Sequence, residues 1–353
     1  MSRFWSDKIS SLTPYTPGEQ PQINNLIKLN TNENPYGPSP KVIEAIAQAN
    51  SDELRKYPDP LSSDLKKSIA SYYDLPLDYI FVANSSDEVL AHTFRALLKH
   101  DKPLLYPDIT YSFYPVYCQL FDIDYKQIPL REDFTLNIDD YQIDNGGIIF
   151  ANPNAPTGIA LSLEKIKILL ERNPDSVIVV DEAYVDFSHE SAVNLVQQYD
   201  NLLVTQTLSK SRSLAGLRVG LAIGNPELIS GMERVKNSFH PYALDKLAAA
   251  GATAAFDDRT YFQETCNKVI NTREYTTQEL TKLGFEVLPS SANFVFAKHP
   301  QRDASKLFQA LRERNIIVRY FSSSRINEYL RISIGTDQEM ETFVQAMQEI
   351  IEN

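Results

Sequence analysis

The chain is 353 residues long, with 43% hydrophobic and 23% charged residues. That is the balance of an ordinary folded globular protein, and it excludes a disordered chain, a collagen-like repeat and a small disulfide scaffold. Lys and Arg number 34 against 46 Asp and Glu, a formal net charge of −12, so nucleic acid and anionic membrane surfaces are poor partners.

In chain order, residues before Leu29 read as an irregular arm, because Pro14, Pro17, Gly18 and Pro21 interrupt regular structure. Helical spacing of apolar residues follows at Lys41 to Ala49 and Ser62 to Tyr73. Tyr79 to Ala83 reads as a short strand and Asp87 to Lys99 as a helix. Pro103 to Tyr106, Ile148 to Ala151, Val177 to Val180, Leu202 to Thr205 and Val219 to Ile223 read as buried strands. Continuous β-branched runs of this kind suit a mostly parallel sheet covered on both faces. From about His240 the character changes, with an Ala-rich helix from Ala243 to Phe256 and a long helix from Tyr261 to Leu283. Strand-like pieces at Phe285 to Leu288, Phe294 to Ala297, Ile316 to Val318 and Tyr329 to Ile334 are joined by helices at Ala304 to Arg314 and from Gln338. At about 150 residues per domain, the length fits the expected division. It comprises an arm at 1–28, a large α/β domain with an α/β/α sheet at 29–240 and a smaller α+β domain at 241–353.

The most apolar helical stretch, Leu247 to Phe256, is half the length a bilayer requires, and the first residues lack the apolar core of a signal peptide. A cytoplasmic address is the expectation. Cys118 and Cys266 lie far apart without a partner motif and read as buried free thiols. The five histidines, at 92, 100, 189, 240 and 299, have no metal-ligand spacing and read as structural or solvated, so no metal is expected.

In open α/β sheets, ligands bind beyond the carboxyl ends of the strands, so the polar residues ending each strand are the candidates. They are Asn84-Ser-Ser-Asp-Glu88, Asn152-Pro-Asn-Ala-Pro-Thr-Gly158, Asp181-Glu-Ala-Tyr184 and Thr207-Leu-Ser-Lys210, with Arg218 eight residues further. Each alone has an ordinary reading: a helix cap, a turn, a surface lysine. Asp-Glu after a strand also suggests a nucleotide-site acid, but no P-loop accompanies it. The Gly-x-Gly-x-x-Gly fingerprint is absent too, in a chain of only 12 glycines.

Taken in this order, the set resembles the fold-type I, pyridoxal-phosphate-dependent aminotransferases, and among them the histidinol-phosphate aminotransferases. The likeness spans nearly the whole chain. It runs through Leu12-Thr-Pro-Tyr15, Leu29-Asn-Thr-Asn-Glu-Asn-Pro-Tyr-Gly-Pro-Ser39, Tyr57-Pro-Asp-Pro60, Asn152 to Gly158 and Asp181 to Tyr184. It continues in Thr207-Leu-Ser-Lys-Ser211, Ala215-Gly-Leu-Arg218 and Leu330-Arg-Ile-Ser-Ile-Gly335. The cofactor motifs are shared by many aminotransferases, whereas Asn32-Glu-Asn-Pro-Tyr-Gly-Pro38 points to the histidinol-phosphate subgroup.

The resemblance implies pyridoxal 5'-phosphate as cofactor. Lys210 would join the cofactor aldehyde and later move the substrate Cα proton, which needs a neutral amine and so a lowered pKa. Asp181 would keep the pyridine nitrogen protonated, Tyr184 would bond the ring oxygen and Tyr111 would stack on the ring. Backbone N–H groups of Ser86 and Asp87 at a helix start, with Ser209 and Arg218, would hold the phosphate. The Asp87 carboxylate would repel that phosphate, so its side chain is expected to turn away. Tyr57 would reach the phosphate from a second subunit, implying a homodimer with shared sites. Arg319 and Arg331, with Tyr15 of the arm, would face the substrate, since arginine forks suit phosphate and carboxylate alike.

Two departures stand out. Many aminotransferases carry Asn directly before Pro-Thr-Gly, where this chain has Ala155, so Asn154 is expected to contact the ring oxygen instead. Pro241-Tyr-Ala-Leu-Asp245 replaces the Asn-Val-Asn usual in the subgroup before the Ala-rich helix. The implied reaction moves the amino group of L-histidinol phosphate to 2-oxoglutarate by a ping-pong cycle, giving imidazole-acetol phosphate and L-glutamate in histidine biosynthesis. Open alternatives are an aromatic amino-acid aminotransferase, a phosphothreonine decarboxylase on the same scaffold and a non-catalytic pyridoxal-phosphate sensor.

Overall fold

The computed structural model describes residues 3–21, 24–188 and 190–352. After the arm come β1 (Ile27–Lys28), α1 (Pro40–Ala49), α2 (Ser63–Tyr73), β2 (Ile80–Asn84), α3 (Ser85–Leu97), β3 (Leu104–Pro107), α4 (Tyr114–Phe121) and β4 (Tyr125–Ile128). Then follow β5 (Gly147–Ala151), α5 (Leu163–Arg172), β6 (Ile178–Asp181), β7 (Leu202–Thr207), β8 (Val219–Gly224), α6 (Pro226–Phe239) and α7 (Lys246–Asp257). The last part holds α8 (Arg259–Lys282), β9 (Glu286–Val287), β10 (Phe294–Lys298), α9 (Ala304–Glu313), β11 (Ile316–Ile317), β12 (Arg319–Tyr320), β13 (Tyr329–Ser333) and α10 (Asp337–Glu352).

Seven strands form one sheet in the order β2-β8-β7-β6-β5-β3-β4. Pairing from β7 through β4 is parallel, and β8 runs antiparallel to both β7 and β2. Because side chains alternate across a strand, the apolar runs serve two cores. Ile148, Phe150, Ile178, Val180, Leu202 and Val204 belong to one, while Ile149, Val179 and Leu203 belong to the other. That is the physical content of an unbroken β-branched run: neither face is left for water. The edge strand β4 was not legible in the sequence, since three of its four residues are exposed and lack that signature.

The packing divides the chain differently from the expected boundary at 240. The Ala-rich helix α7 lies on α1 and α2, and Ala248, Ala252, Ala255 and Phe256 share the core of the large sheet. The change of body comes at Asp258, which precedes α8, whose Phe262, Cys266 and Val269 join the smaller core. The start of the chain is redistributed as well: β1 pairs parallel with β11, and Leu29 is buried in the smaller core. A second sheet, β12-β13-β10-β9, is antiparallel throughout.

Among the described residues no helix is long and apolar enough to cross a membrane, and no cluster of His, Cys, Asp and Glu could hold a metal. Cys118 and Cys266 are both buried and free. Burial pushes each thiol up to about 12, which leaves both unreactive. Of the histidines, His92 is buried beside Glu88 at 3.8 Å, and the expectation for position 189 falls outside the described residues.

Candidate active site

Sheet topology explains why distant sequence pieces converge. Strands β5, β6 and β7 run parallel, so Asn152 to Gly158, Asp181 and Thr207 to Lys210 leave the sheet at one rim. The antiparallel β8 starts at that rim, with Thr207 opposite Gly220 and Asn84 opposite Val219. Arg218 and the first turn of α3 are thereby brought to the same edge. The approach is tight at Gly220: a Cβ there would lie 2.4 Å from the Ser85 carbonyl carbon and the Ser86 nitrogen. Only glycine lets the helix start this close to β8.

Asp181, at the end of β6, is 4% exposed. Its carboxylate accepts hydrogen bonds from the Tyr114 hydroxyl at 2.9 Å and the Thr205 hydroxyl at 3.1 Å. Burial drives its pKa from 3.8 up to about 6 against the opposing effect of those bonds, and the Asp87 charge adds to the rise. Among the described residues no cation pairs with it. A buried carboxylate that ionises without a cationic partner is costly to the fold.

Three consecutive residues of the segment after β1 each hold one group of the site. The Asn30 carbonyl accepts from Arg331 Nη2 at 2.9 Å, and the Thr31 carbonyl accepts from Lys210 Nζ at 2.9 Å. Asn32 Nδ2 donates to the Tyr184 hydroxyl oxygen at 3.0 Å. Asn32 is itself locked by Ser333, which donates to its side chain and accepts from its backbone N–H, and by Asn293, which donates to its carbonyl. Its φ of 55° is left-handed, a conformation asparagine tolerates better than most residues. Sequence reasoning quoted this stretch only as a family signature and missed Thr31, Asn32, Tyr114 and Thr205 as site residues. The hydroxyl partners of Asp181 carry no signal in a single sequence, since they come from β7 and from the unrecognised helix α4.

The residues expected to hold the phosphate meet at the start of α3. The Ser85 N–H donates to the Arg218 carbonyl at 2.8 Å, and the Asp87 N–H donates to Ser85 Oγ at 3.2 Å. Among the described residues the Ser86 N–H has no partner, as is common for first-turn amides. Ser209 is buried, and its hydroxyl accepts from Thr207 Oγ1 at 3.0 Å. Asp87 departs from expectation. Its carboxylate does not turn away; it takes Arg218 Nη2 at 2.8 Å and the Tyr111 hydroxyl at 3.2 Å.

Asn154 also departs from expectation. Its amide donates to the Ile109 carbonyl at 3.0 Å and Thr157 Oγ1 at 3.1 Å, and its oxygen accepts from Thr110 at 2.8 Å. Both amide hydrogens are spent bracing the turn that ends β5, so none is left for a ring oxygen. Ala155 packs with Ala292, Phe294 and Tyr184 instead.

Arg319 and Arg331 are direct partners across β12 and β13, so their side chains share one face of the sheet. Like charges placed this way repel, yet among the described residues neither is paired with a carboxylate. Arg331 rests between the Phe294 and Phe321 rings at 5.4 and 5.6 Å. Its Nε is buried without a partner, and burial holds its pKa below the usual arginine range. The arm is already folded down: Gln119 on α4 accepts from the Thr13 N–H at 2.8 Å and donates to the Ser11 carbonyl. Tyr15 packs on Phe113 at 4.9 Å between ring centroids. Tyr15 and Arg319 line one groove of about 770 Å³. The chain does not bring Tyr57 to its own site. That residue is 80% exposed and stacks on Tyr242 at 4.7 Å.

A layered α/β body whose strand ends gather a lysine, a buried carboxylate without a cationic partner among the described residues, and an arginine beside a helix start has the make-up of a pyridoxal-phosphate-dependent transferase, and residues 24–347 match the aminotransferase class I and II family. The chain belongs to that family. It is 57% identical over 350 residues to the histidinol-phosphate aminotransferase of Pseudomonas syringae pv. syringae, covering 99% of this chain and all of the relative. It is 58% identical to histidinol-phosphate aminotransferase 1 of Hydrogenovibrio crunogenus, covering 99% of each chain. Among solved structures, the histidinol-phosphate aminotransferase of Sinorhizobium meliloti in complex with pyridoxal-5'-phosphate superposes with a TM-score of 0.89. It is 23% identical and covers all of this chain and 98% of that one, which establishes the shared fold.

Proposed function

We propose that this chain is a histidinol-phosphate:2-oxoglutarate aminotransferase that works with pyridoxal 5'-phosphate by a ping-pong cycle in histidine biosynthesis. Its residues fit that cofactor. The solitary buried carboxylate of Asp181 suits a protonated ring nitrogen, and the Ser86 N–H, Ser209 and Arg218 suit the phosphate. Bound pyridoxal phosphate supplies an aldehyde carbon that takes the amino group and a ring that accepts the electron pair left at the substrate Cα.

The chain does the rest. Asp181, held by Tyr114 and Thr205, keeps an anionic acceptor against the ring nitrogen. Tyr184, steadied by Asn32, presents a phenol to the ring oxygen, and Tyr111 forms a wall at the ring face. Lys210 Nζ rests on the Thr31 carbonyl. From there it serves as the base that takes the substrate Cα proton and returns it on the other side of the transfer.

The observation that carries the substrate reading is the cross-strand pair Arg319 and Arg331, with no acidic partner among the described residues. Both substrates of the proposed cycle carry an anionic group away from the reacting carbon: the phosphate of histidinol phosphate and the distal carboxylate of 2-oxoglutarate. One arginine pair serves both in turn. Tyr15 on the docked arm closes that side.

A homodimer with shared sites belongs to the same reading. Tyr57 is exposed and stacks on the exposed Tyr242, apolar surface of the kind that subunits cover. From there it would reach the partner's phosphate cup. A cytoplasmic address accords with two unpaired cysteines. The deciding experiment compares kcat/KM for histidinol phosphate, phenylalanine and tyrosine against 2-oxoglutarate. Histidinol phosphate should lead by at least tenfold. A preference for either aromatic amino acid would replace this reading with an aromatic aminotransferase.

A further inference from the structure

A carboxylate in a phosphate cup is an electrostatic liability, and the place of Asp87 at the head of α3 makes its geometry informative. One oxygen holds Arg218 Nη2 at 2.8 Å and also accepts from Ser85 Oγ at 3.2 Å. The other accepts the Tyr111 hydroxyl at 3.2 Å. Its carbonyl accepts the Tyr117 hydroxyl at 2.7 Å, so the residue is fixed from both ends. Among the described residues the Arg218 guanidinium has only one other hydrogen bond, from Nη1 to the Ala215 carbonyl at 3.2 Å, and the side chain is 45% exposed. Without Asp87 the guanidinium would be free to swing through solvent.

We propose that the Asp87 carboxylate is a positioning group of the phosphate cup, setting the Arg218 fork and the Tyr111 ring wall relative to each other before the cofactor arrives. The inference rests on the reading above that Arg218 serves the phosphate. Two opposed effects decide the matter. Repulsion between Asp87 and a phosphate would weaken cofactor binding. Against it, the pair holds in place a long side chain rich in rotamers, so less ordering is left for the phosphate to impose. The cost of the added charge is also reduced, because the carboxylate is neutralised by the guanidinium it holds. Hydrogen-bond donors remain on Arg218, Nε among them, since among the described residues only Nη1 and Nη2 are engaged. The first-turn amides of α3 add positive potential at the same place.

The test is equilibrium titration of cofactor-stripped protein with pyridoxal phosphate and, separately, with pyridoxal, followed by the absorbance of the bound ring. Asp87→Asn keeps the shape and an acceptor for Tyr111 but loses the charged contact with Arg218. Its Kd for pyridoxal phosphate should rise about tenfold, about 1.4 kcal/mol, while that for pyridoxal stays within about twofold. In an Arg218→Met background the same substitution should add nothing further. Tighter binding of pyridoxal phosphate by Asp87→Asn would mean repulsion dominates and would overturn the proposal. Equal losses for both ligands would reduce Asp87 to a folding role and overturn it too. If Arg218→Met itself leaves the preference for pyridoxal phosphate over pyridoxal unchanged, the underlying assignment of Arg218 fails, which is a distinguishable result. Should Asp87→Asn not fold, Asp87→Ser is read by the same ratio.

Discussion

Asp181 makes a demand on the empty protein that can be measured without any catalysis. Its pKa is raised from 3.8 to about 6 by burial, so the folded chain holds a proton that the unfolded chain releases between those values. The sign follows from linkage: a raised folded pKa contributes stability that is complete below 3.8 and is lost as pH climbs through about 6. Above pH 7 the ionised carboxylate therefore costs the apoprotein about 3 kcal/mol. Asp181→Asn removes that cost. It weakens the contacts to Tyr114 and Thr205, worth about 1 kcal/mol together once their hydroxyls turn to meet the amide. The variant apoprotein should thus be more stable than the parent by about 2 kcal/mol at pH 8, and about equal to it at pH 4.5, where most of the ionisation cost has gone. Urea unfolding of both apoproteins at the two pH values checks this. Glu182, whose pKa burial raises to about 7, is common to both proteins and cancels in the difference. A variant less stable than the parent at pH 8, or a difference independent of pH, would refute the picture of an unpaired buried charge awaiting a cationic nitrogen. The same variant should hold pyridoxal phosphate much more weakly, the usual trade between stability and a functional site.

Other perturbations address the remaining parts. Arg331→Met should raise KM for the amino donor and for 2-oxoglutarate together, each by about tenfold or more from a lost charged hydrogen bond, without destabilising the apoprotein, since it relieves the repulsion with Arg319. A rise for one substrate alone in half-reaction kinetics would separate the two anion sites. Gln119→Ala should undock the arm from α4 and raise KM severalfold while kcat stays within about twofold, and a kcat-only effect in steady-state assays would be incompatible with an arm that merely closes the groove. Inactive Lys210→Ala and Tyr57→Ala proteins, mixed and reassembled, should recover activity, because a mixed dimer restores one complete site. Demonstrably mixed dimers without activity would rule out sharing through Tyr57.

How far the sequence could be read depended on how local each signal was. The strands β5, β6 and β7 were visible because residues buried on both faces must be apolar whatever their neighbours are. The gathering of Asp181, Tyr184, Ser209, Lys210 and Arg218 at one rim was legible because each lies within a few residues of a strand's end or start. The resemblance carried the same residues as a set. The extent of the large body was not legible. Helix α7 has the composition of any small-residue helix, and only contact with α1 and α2 assigns it to the large sheet's core rather than to the smaller one.

Tertiary structure alone decided the finer chemistry. The order of side chains told nothing of whether Asn154 had hydrogens to spare, and the fold spends both on Ile109 and Thr157. Nor did it reveal that Asp87 would turn toward Arg218, because that pair is separated by 131 residues and meets only where β8 lies against the start of α3. Composition and periodicity determine which elements form and which face of each is buried, since those follow from solvation along one segment. Which polar groups find partners depends on the directions from which other segments arrive, and that is settled only when the sheet closes its order.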